Sequence, residues 1–215
     1  LASMTIKGKK NFKGSVTVTY SIKAQELSKM NAFLQDVVYQ KASEIYMIKP
    51  VLKDFDGKAL KAGTDYNATF KYEYATNCYV TNKGKNTYRK AGEKIQNGDI
   101  LPVETVIKIT ISGKGNYVGE YVGQYRITKA SIAKAKVTVK QQFFTGSEVK
   151  PGKEDIVVKV GTTVLSTNDY EIVSYTNNVN KGTGTVTLRG TGNYGGTITV
   201  KFEKMIFDEA YERGY

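Results

Sequence analysis

The chain contains no histidine and no tryptophan, a single cysteine and only three prolines in 215 residues. Each scarcity excludes something. Without histidine there is no Ser-His-Asp or Cys-His relay and no zinc site of the common kinds, zinc fingers included. One cysteine, Cys78, rules out an internal disulfide. That fits the cytosol, and equally the surface proteins of Gram-positive bacteria. No run approaches 18 apolar residues, so no helical membrane span is expected. No signal peptide or anchoring tail is recognisable.

What is abundant points to strands. Val, Ile, Thr and Tyr dominate, with 16 Tyr and 8 Phe, and hydrophobic residues make up 40% of the chain. Three times a run of alternating residues meets the same loop. The copies read Gly8-Lys9-Lys10-Asn11-Phe12-Lys13-Gly14, Gly113-Lys114-Gly115-Asn116-Tyr117-Val118-Gly119 and Gly190-Thr191-Gly192-Asn193-Tyr194-Gly195-Gly196. Alternating runs flank each loop, so each copy reads as a β-hairpin. Val16, Val18, Tyr20 and Ile22 form the expected inward set of the first, and Ile198, Val200 and Phe202 that of the last. Gly and Asn suit a loop that needs positive φ. The loop aromatic, Phe12, Tyr117 or Tyr194, is expected to fold back and plug the core.

The copies are unevenly spaced: Asn11 to Asn116 is 105 residues, and Asn116 to Asn193 is 77. A second landmark accounts for this. Gly63-Thr64-Asp65-Tyr66 matches Thr167-Asn168-Asp169-Tyr170. Asp65 lies 51 residues before Asn116, whereas Asp169 lies 24 before Asn193, leaving 27 extra residues in the middle unit. They fall most naturally at about 75–105. The expected organisation is therefore a terminal hairpin of a truncated repeat (1–23), a unit with an insertion (24–128), a compact unit (129–204), and a linker or short helix (205–215). The chain would then be a piece of something longer. Residues 1–23 are expected to dock on the next unit as a continuing edge, because a lone hairpin is marginal in water. Residues 24–41 carry a helix-like spacing of Leu27, Met30, Phe33, Leu34 and Val37. Their counterpart, Lys136–Lys140, alternates as a strand, so Phe33–Val38 is read as a strand too.

The chemistry of enzymes is sparse. Gly190-x-Gly192-x-x-Gly195 matches a dinucleotide fingerprint in letters, but it lies between two strands with no helix to hold a pyrophosphate. Gly146 to Gly152-Lys153 is a poor phosphate loop, one residue too long and followed by Glu154. Asp54-Phe55-Asp56-Gly57 lacks the later ligands of a calcium loop and reads as a tight turn. No acid pair stands out among the 20 Asp and Glu. The reading is of no enzyme, no cofactor and no metal.

Lys and Arg exceed Asp and Glu by 32 − 20 = 12. Such a balance favours anionic surroundings, or simply lysines that blunt strand edges. No block of five or six occurs, and neither nucleic-acid binding nor membrane insertion is expected. The insertion is where a specific contact would be added to a repeat. Its candidates are Tyr79, Tyr88, Arg89 and Lys90, suited to glycans or an anionic cell-wall polymer. The competing reading is a hairpin that extends one sheet.

Residues 169–194, from Asp169-Tyr170 through Tyr175-Thr176-Asn177-Asn178-Val179-Asn180-Lys181-Gly182-Thr183-Gly184 to Gly192-Asn193-Tyr194, resemble the Ig-like repeats of bacterial cell-surface proteins and adhesins, notably those of gut Firmicutes. The resemblance covers 129–204 well and 24–128 apart from the insertion. It implies an all-β fold of tandem Ig-like antiparallel β-sandwich modules, and an extracellular, cell-surface location. The implied role is that of a secreted structural module for spacing, presentation or adhesion. It carries no ligand-site residues with it.

Overall fold

A computed structural model describes residues 1–40 and 46–206. The fold is all-β. The helical pieces include the 3-10 turns Leu27–Lys29 and Lys153–Asp155.

Two four-stranded sheets dominate and share one order. The upstream sheet runs Val37–Val38, Glu120–Thr128, Val106–Ser112, Lys71–Tyr74. The downstream sheet runs Gln142–Phe143, Thr197–Met205, Gly182–Gly190, Tyr170–Thr176. In each, the short first strand pairs parallel with its neighbour and the other pairings are antiparallel. Each region also has a smaller sheet. Upstream, Asn31–Ala32 pairs with Leu52–Lys53, which bridges to Ala59. Downstream, Lys136–Val139 pairs with Ile156–Val160, which pairs with Thr163–Val164. The Leu60 amide donates to Leu52 O and the Leu165 amide to Val158 O, each at 2.9 Å.

Alternation explains the core. Val106–Ser112 buries every second residue, leaving Ile107, Ile109 and Ile111 with no exposed surface. In Gly182–Gly190 the same positions bury Val186 and Leu188. Each such side chain contributes about 1.5–3 kcal/mol by leaving water. Phe202 of the expected inward set is buried, while Ile198 and Val200 are half-buried against the core.

The three loop copies fold alike. The first glycine donates to the last across the loop: Gly8 to Gly14 O at 2.9 Å, Gly113 to Gly119 O at 2.8 Å, and Gly190 to Gly196 O at 3.0 Å. The third position has positive φ in all three: 55° at Lys10, 65° at Gly115 and 60° at Gly192. The Asp-Tyr landmark sits directly on this loop. Lys114 donates its amide to Asp65 O and Thr191 to Asp169 O, both at 2.9 Å. The loop also holds an incoming strand in parallel, Gln25–Glu26 on Tyr117–Val118 and Ala130–Ser131 on Tyr194–Gly195.

Several expectations change. Residues 24–40 hold one 3-10 turn and two-residue strands at Gln25–Glu26, Asn31–Ala32 and Val37–Val38. Val37–Val38 is a strand because the end of Glu120–Thr128 offers it a parallel edge, extended by a Tyr39 amide to Thr128 O bond of 2.8 Å. Phe33, read as strand, lies between elements and is exposed. The hairpin Ala2–Lys7/Ser15–Tyr20 is a two-stranded sheet of its own, not a continuing edge of the next one. Its inward set is consequently exposed. The loop aromatic plugs the core at Tyr194, is half-buried at Tyr117, and is exposed at Phe12. Met205, the first residue of the expected linker or short helix at 205–215, instead ends the last strand and is buried; residues 207–215 lie outside the described residues, as does Lys41.

Candidate functional site in the insertion

The insertion folds as a third small sheet, ordered Asp99–Ile100, Cys78–Asn82, Lys85–Arg89. The turn Lys83-Gly84 joins its hairpin, both residues at positive φ as a two-residue hairpin requires. It is anchored to the main sheet by backbone bonds at the edge strand. The Tyr74 amide donates to Glu93 O at 2.9 Å, Gly92 to Tyr74 O at 2.8 Å, and Ile95 to Tyr72 O at 3.1 Å.

Strand alternation divides the four candidate residues. Tyr79 and Tyr88 are direct cross-strand partners on the outer face, with ring centroids 5.1 Å apart and planes tilted by 56°. Both are exposed. Arg89 is one residue further on, so it points to the opposite face, and Lys90 follows the strand as an exposed side chain. Arg89 is thus taken out of the proposed contact surface.

What Arg89 meets is Asp99, an acid with no exposed surface that sequence alone does not single out. Arg89 grips it with two nitrogens, Nη2 to Oδ1 at 2.8 Å and Nε to Oδ2 at 3.2 Å. Tyr74 Oη donates to Oδ2 and Asn82 Nδ2 to Oδ1, each at 2.6 Å. The Gln96 amide adds a fifth bond to Oδ2, at 3.1 Å. Burial pushes the Asp99 carboxyl up, but the bonds from Arg89, Tyr74 and Asn82 outweigh it and hold the group below its ordinary value. Burial, then the bond to Asp99, drives the Tyr74 phenol upward. Burial also raises the Cys78 thiol, and nearby Asp99 raises it further. A carboxylate with five donors and a depressed pKa is a poor general acid and a crowded nucleophile. It is a lock that fastens the insertion to the edge strand.

A shallow cavity of about 400 Å³ lies beside the lock, lined by Tyr39, Tyr79, Asn86, Pro102 and Asn193 among others. It joins the insertion to the loop of the downstream region. There the Val103 amide donates to Asn193 Oδ1 at 3.2 Å, and the Tyr194 ring meets Tyr39 edge-on. Among the described residues no cluster of three His, Cys, Asp or Glu side chains could hold a metal ion. No helix among them is long and apolar enough to cross a membrane.

The arrangement defines an all-β chain whose distinctive feature is a locked, Tyr-faced insertion. No family model, no curated protein and no solved structure matches the chain.

Proposed function

We propose that residues 24–204 are two tandem Ig-like β-sandwich modules that act as a non-catalytic spacer or presentation segment of a bacterial cell-surface protein. The observation that carries this reading is the common sheet order of the two regions, with the same loop bonded to the same Asp-Tyr turn in each. Polar groups at the distinctive site are spent on holding structure, as a load-bearing spacer requires, and the Arg89–Asp99 lock illustrates it. The extracellular, cell-surface placement rests on the resemblance of residues 169–194 to repeats of such proteins. The test is mechanical. A tethered chain pulled by atomic force microscopy should show two separate unfolding events, of about 105 and about 76 residues as the spans 24–128 and 129–204 dictate. A single event, or extension without any force peak, overturns the tandem reading. Protease shaving of intact producing cells tests the location: survival of the protein inside them overturns it.

A second reading has one observation in its favour. The paired rings of Tyr79 and Tyr88 are exposed on the outer face of the insertion, with exposed Lys83, Lys85 and Lys90 nearby. A close, tilted aromatic pair with surrounding cations suits a glycan or an anionic cell-wall polymer. A glycan array and a teichoic-acid pull-down at increasing salt discriminate the readings. Binding by neither leaves the spacer alone.

A further inference from the structure

The outer face of the insertion continues past its tyrosine pair into the shallow cavity of about 400 Å³ beside it. Tyr79 belongs to both, since its ring neighbours Tyr88 and also lines the cavity. The ladder sets Thr81 opposite Asn86, two residues along from Tyr79 opposite Tyr88, so all four side chains share one face. Ile100 pairs with Thr81 on the other side and extends that face. The floor is therefore an aromatic pair, a hydroxyl, a carboxamide and an aliphatic side chain. The wall is made by Pro102, Tyr39 and Asn193. Asn193 belongs to the loop of the downstream region and is held against the insertion by the Val103 amide, which donates to its Oδ1 at 3.2 Å.

Two properties of this surface select a ligand. First, its polar groups are unspent. Thr81 and Asn86 are exposed, and neither side chain bonds to another described residue. Asn82, on the opposite face of the same strand, is by contrast committed to Asp99. Second, every residue lining the cavity is uncharged, in a chain with a net charge of +12. Lys85 and Arg89 alternate onto the other face, Lys83 sits in the hairpin turn, and Lys90 follows the strand; none of them lines the cavity. An anion placed here would lose water without gaining a counter-charge. A neutral sugar would not, because it offers an apolar C–H face to an aromatic ring and hydroxyls to amides and hydroxyls. A few placed polar groups beside aromatic and aliphatic side chains, in a volume of about 300–1,000 Å³, is the composition of small-ligand sites.

We infer that this cavity is the seat of a neutral glycan, with one sugar ring against Tyr79 and its hydroxyls on the Thr81 hydroxyl and the Asn86 carboxamide, bounded by Tyr39 and Asn193. The assignment rests on the reading that the outer face of the insertion binds a ligand, and narrows it. It selects an uncharged sugar over an anionic wall polymer, and it moves the contact from Arg89 and Lys90 to Thr81 and Asn86. It also makes the site depend on two regions of the chain, because Asn193 lies on the downstream loop.

The test presents the full chain to an array that carries neutral hexose and N-acetylhexosamine oligosaccharides beside sialylated, uronic-acid and sulfated glycans and teichoic acid. Signal should be confined to the neutral glycans and should not fall between about 0.05 and 0.5 M salt, over which charge pairing is screened. Titration calorimetry with the strongest neutral glycan should show binding several-fold weaker for Thr81→Val and for Asn86→Ala, and at least about tenfold weaker for Tyr79→Ser. The triple variant Lys83→Asn, Lys85→Gln, Lys90→Gln should bind as the parent does. These side chains are exposed, so all the variants should keep the parent melting curve. In amide spectra of isotope-labelled chain, the same glycan should shift Val103 and Asn193 together with residues 79–82. Equal or stronger signal on the anionic glycans, lost in salt or in the triple lysine variant, overturns the neutral assignment and keeps the binding reading. Neutral binding that survives Thr81→Val and Asn86→Ala, or leaves the Asn193 and Val103 amides unmoved, overturns the seat in the cavity and likewise keeps that reading. Silence across the whole array overturns both and leaves the spacer.

Discussion

The Tyr194 ring meets the Tyr39 ring edge-on, with centroids 5.8 Å apart and planes at 83°. Tyr194 is the aromatic of the third loop, and Tyr39 follows the upstream edge strand Val37–Val38. Both are buried, and burial is the first cause that raises each phenol above its ordinary pKa. One aromatic therefore plugs the loop of its own region and seals the junction with the preceding one. Tyr194→Ala should cost about 3 kcal/mol, the lower end for deleting a buried aromatic. A double-mutant cycle with Tyr39→Ala should give a coupling of about 1 kcal/mol. Urea denaturation of the four proteins measures it. Additive effects would mean the two rings are neighbours without interaction.

The lock at Asp99 predicts a strong asymmetry between its members. Asp99→Asn leaves the mostly buried Arg89 without its counter-charge, and should cost about 3 kcal/mol. Tyr74→Phe removes one bond to a charged acceptor and should cost about 1.5–3 kcal/mol. A paired Arg89→Met, Asp99→Leu variant should recover part of the loss, since no uncompensated charge remains. Thermal melts followed by circular dichroism rank the three. Equal stability of Asp99→Asn and the parent would show the lock to be idle.

How much of this was legible beforehand follows from which forces are local. The loops and the Asp-Tyr landmark were readable because turn chemistry is written in consecutive residues, and the spacing between Asp65 and Asn116 exposed the insertion directly. The sheet reading of the insertion was available from alternation in Cys78–Asn82. Asp99 was not, because its five donors come from Tyr74, Asn82, Arg89 and Gln96, and no local pattern announces that meeting. Arg89 was grouped with Tyr88 by adjacency in sequence, which in a strand guarantees opposite faces. Phe33 is placed in a strand by analogy with Lys136–Lys140, but the ladder with Leu52–Lys53 ends at Ala32 and the next pairing begins at Val37. Docking of the first hairpin is expected because a lone hairpin is marginal in water. Its apolar strand residues do share one face, but nothing in the pattern says what covers it.

Acid should loosen the insertion and its edge strand first. Glu73, nearly buried on Lys71–Tyr74, is held below its ordinary pKa by hydrogen bonds from Lys108 and then Lys71, whose nitrogens lie 2.7 and 2.6 Å away. Asp99 is depressed as well. For a carboxyl whose folded pKa is lowered, the added stability is complete above the unfolded value, about 4, and fades as pH falls through the folded value. Melting temperature should thus be flat with respect to these two groups above about pH 5 and drop below about pH 4. Glu73→Gln should flatten part of that drop. An acid limb identical in the variant would remove Glu73 from the account.

Exposed rings and buried rings should part company under mutation. Tyr79→Ser and Tyr88→Ser remove a cross-strand pair that faces solvent, and such pairs contribute about 0.2–1 kcal/mol. If the outer face of the insertion binds a glycan or wall polymer, either change should abolish retention while the melt barely moves. If it does not, the parent shows no retention to lose, and the pair is sheet packing. Arg89 cannot serve in this comparison, because its substitution breaks the Asp99 lock.

The first glycine of the loop offers the same substitution in three settings. A Cβ at Gly113 would lie 2.7 Å from Tyr117 O, at Gly190 2.7 Å from the Gly195 amide nitrogen, and at Gly8 2.6 Å from Phe12 O. All three clashes are with backbone, which cannot swing aside as a flexible side chain would. Gly113→Ala and Gly190→Ala must therefore spread a loop that is bonded to the Asp-Tyr turn and to an incoming parallel strand. Each should lower global stability by about 1–3 kcal/mol, as overpacking does. Gly8→Ala meets the same local clash in a hairpin whose strands are exposed and, among the described residues, pair only with each other. Its effect should appear as faster amide exchange in residues 2–20, with the midpoint of the main unfolding transition unchanged. A shift of that midpoint by Gly8→Ala as large as that from Gly113→Ala would mean that the hairpin is coupled to the core after all, through contacts that its exposed apolar face does not reveal.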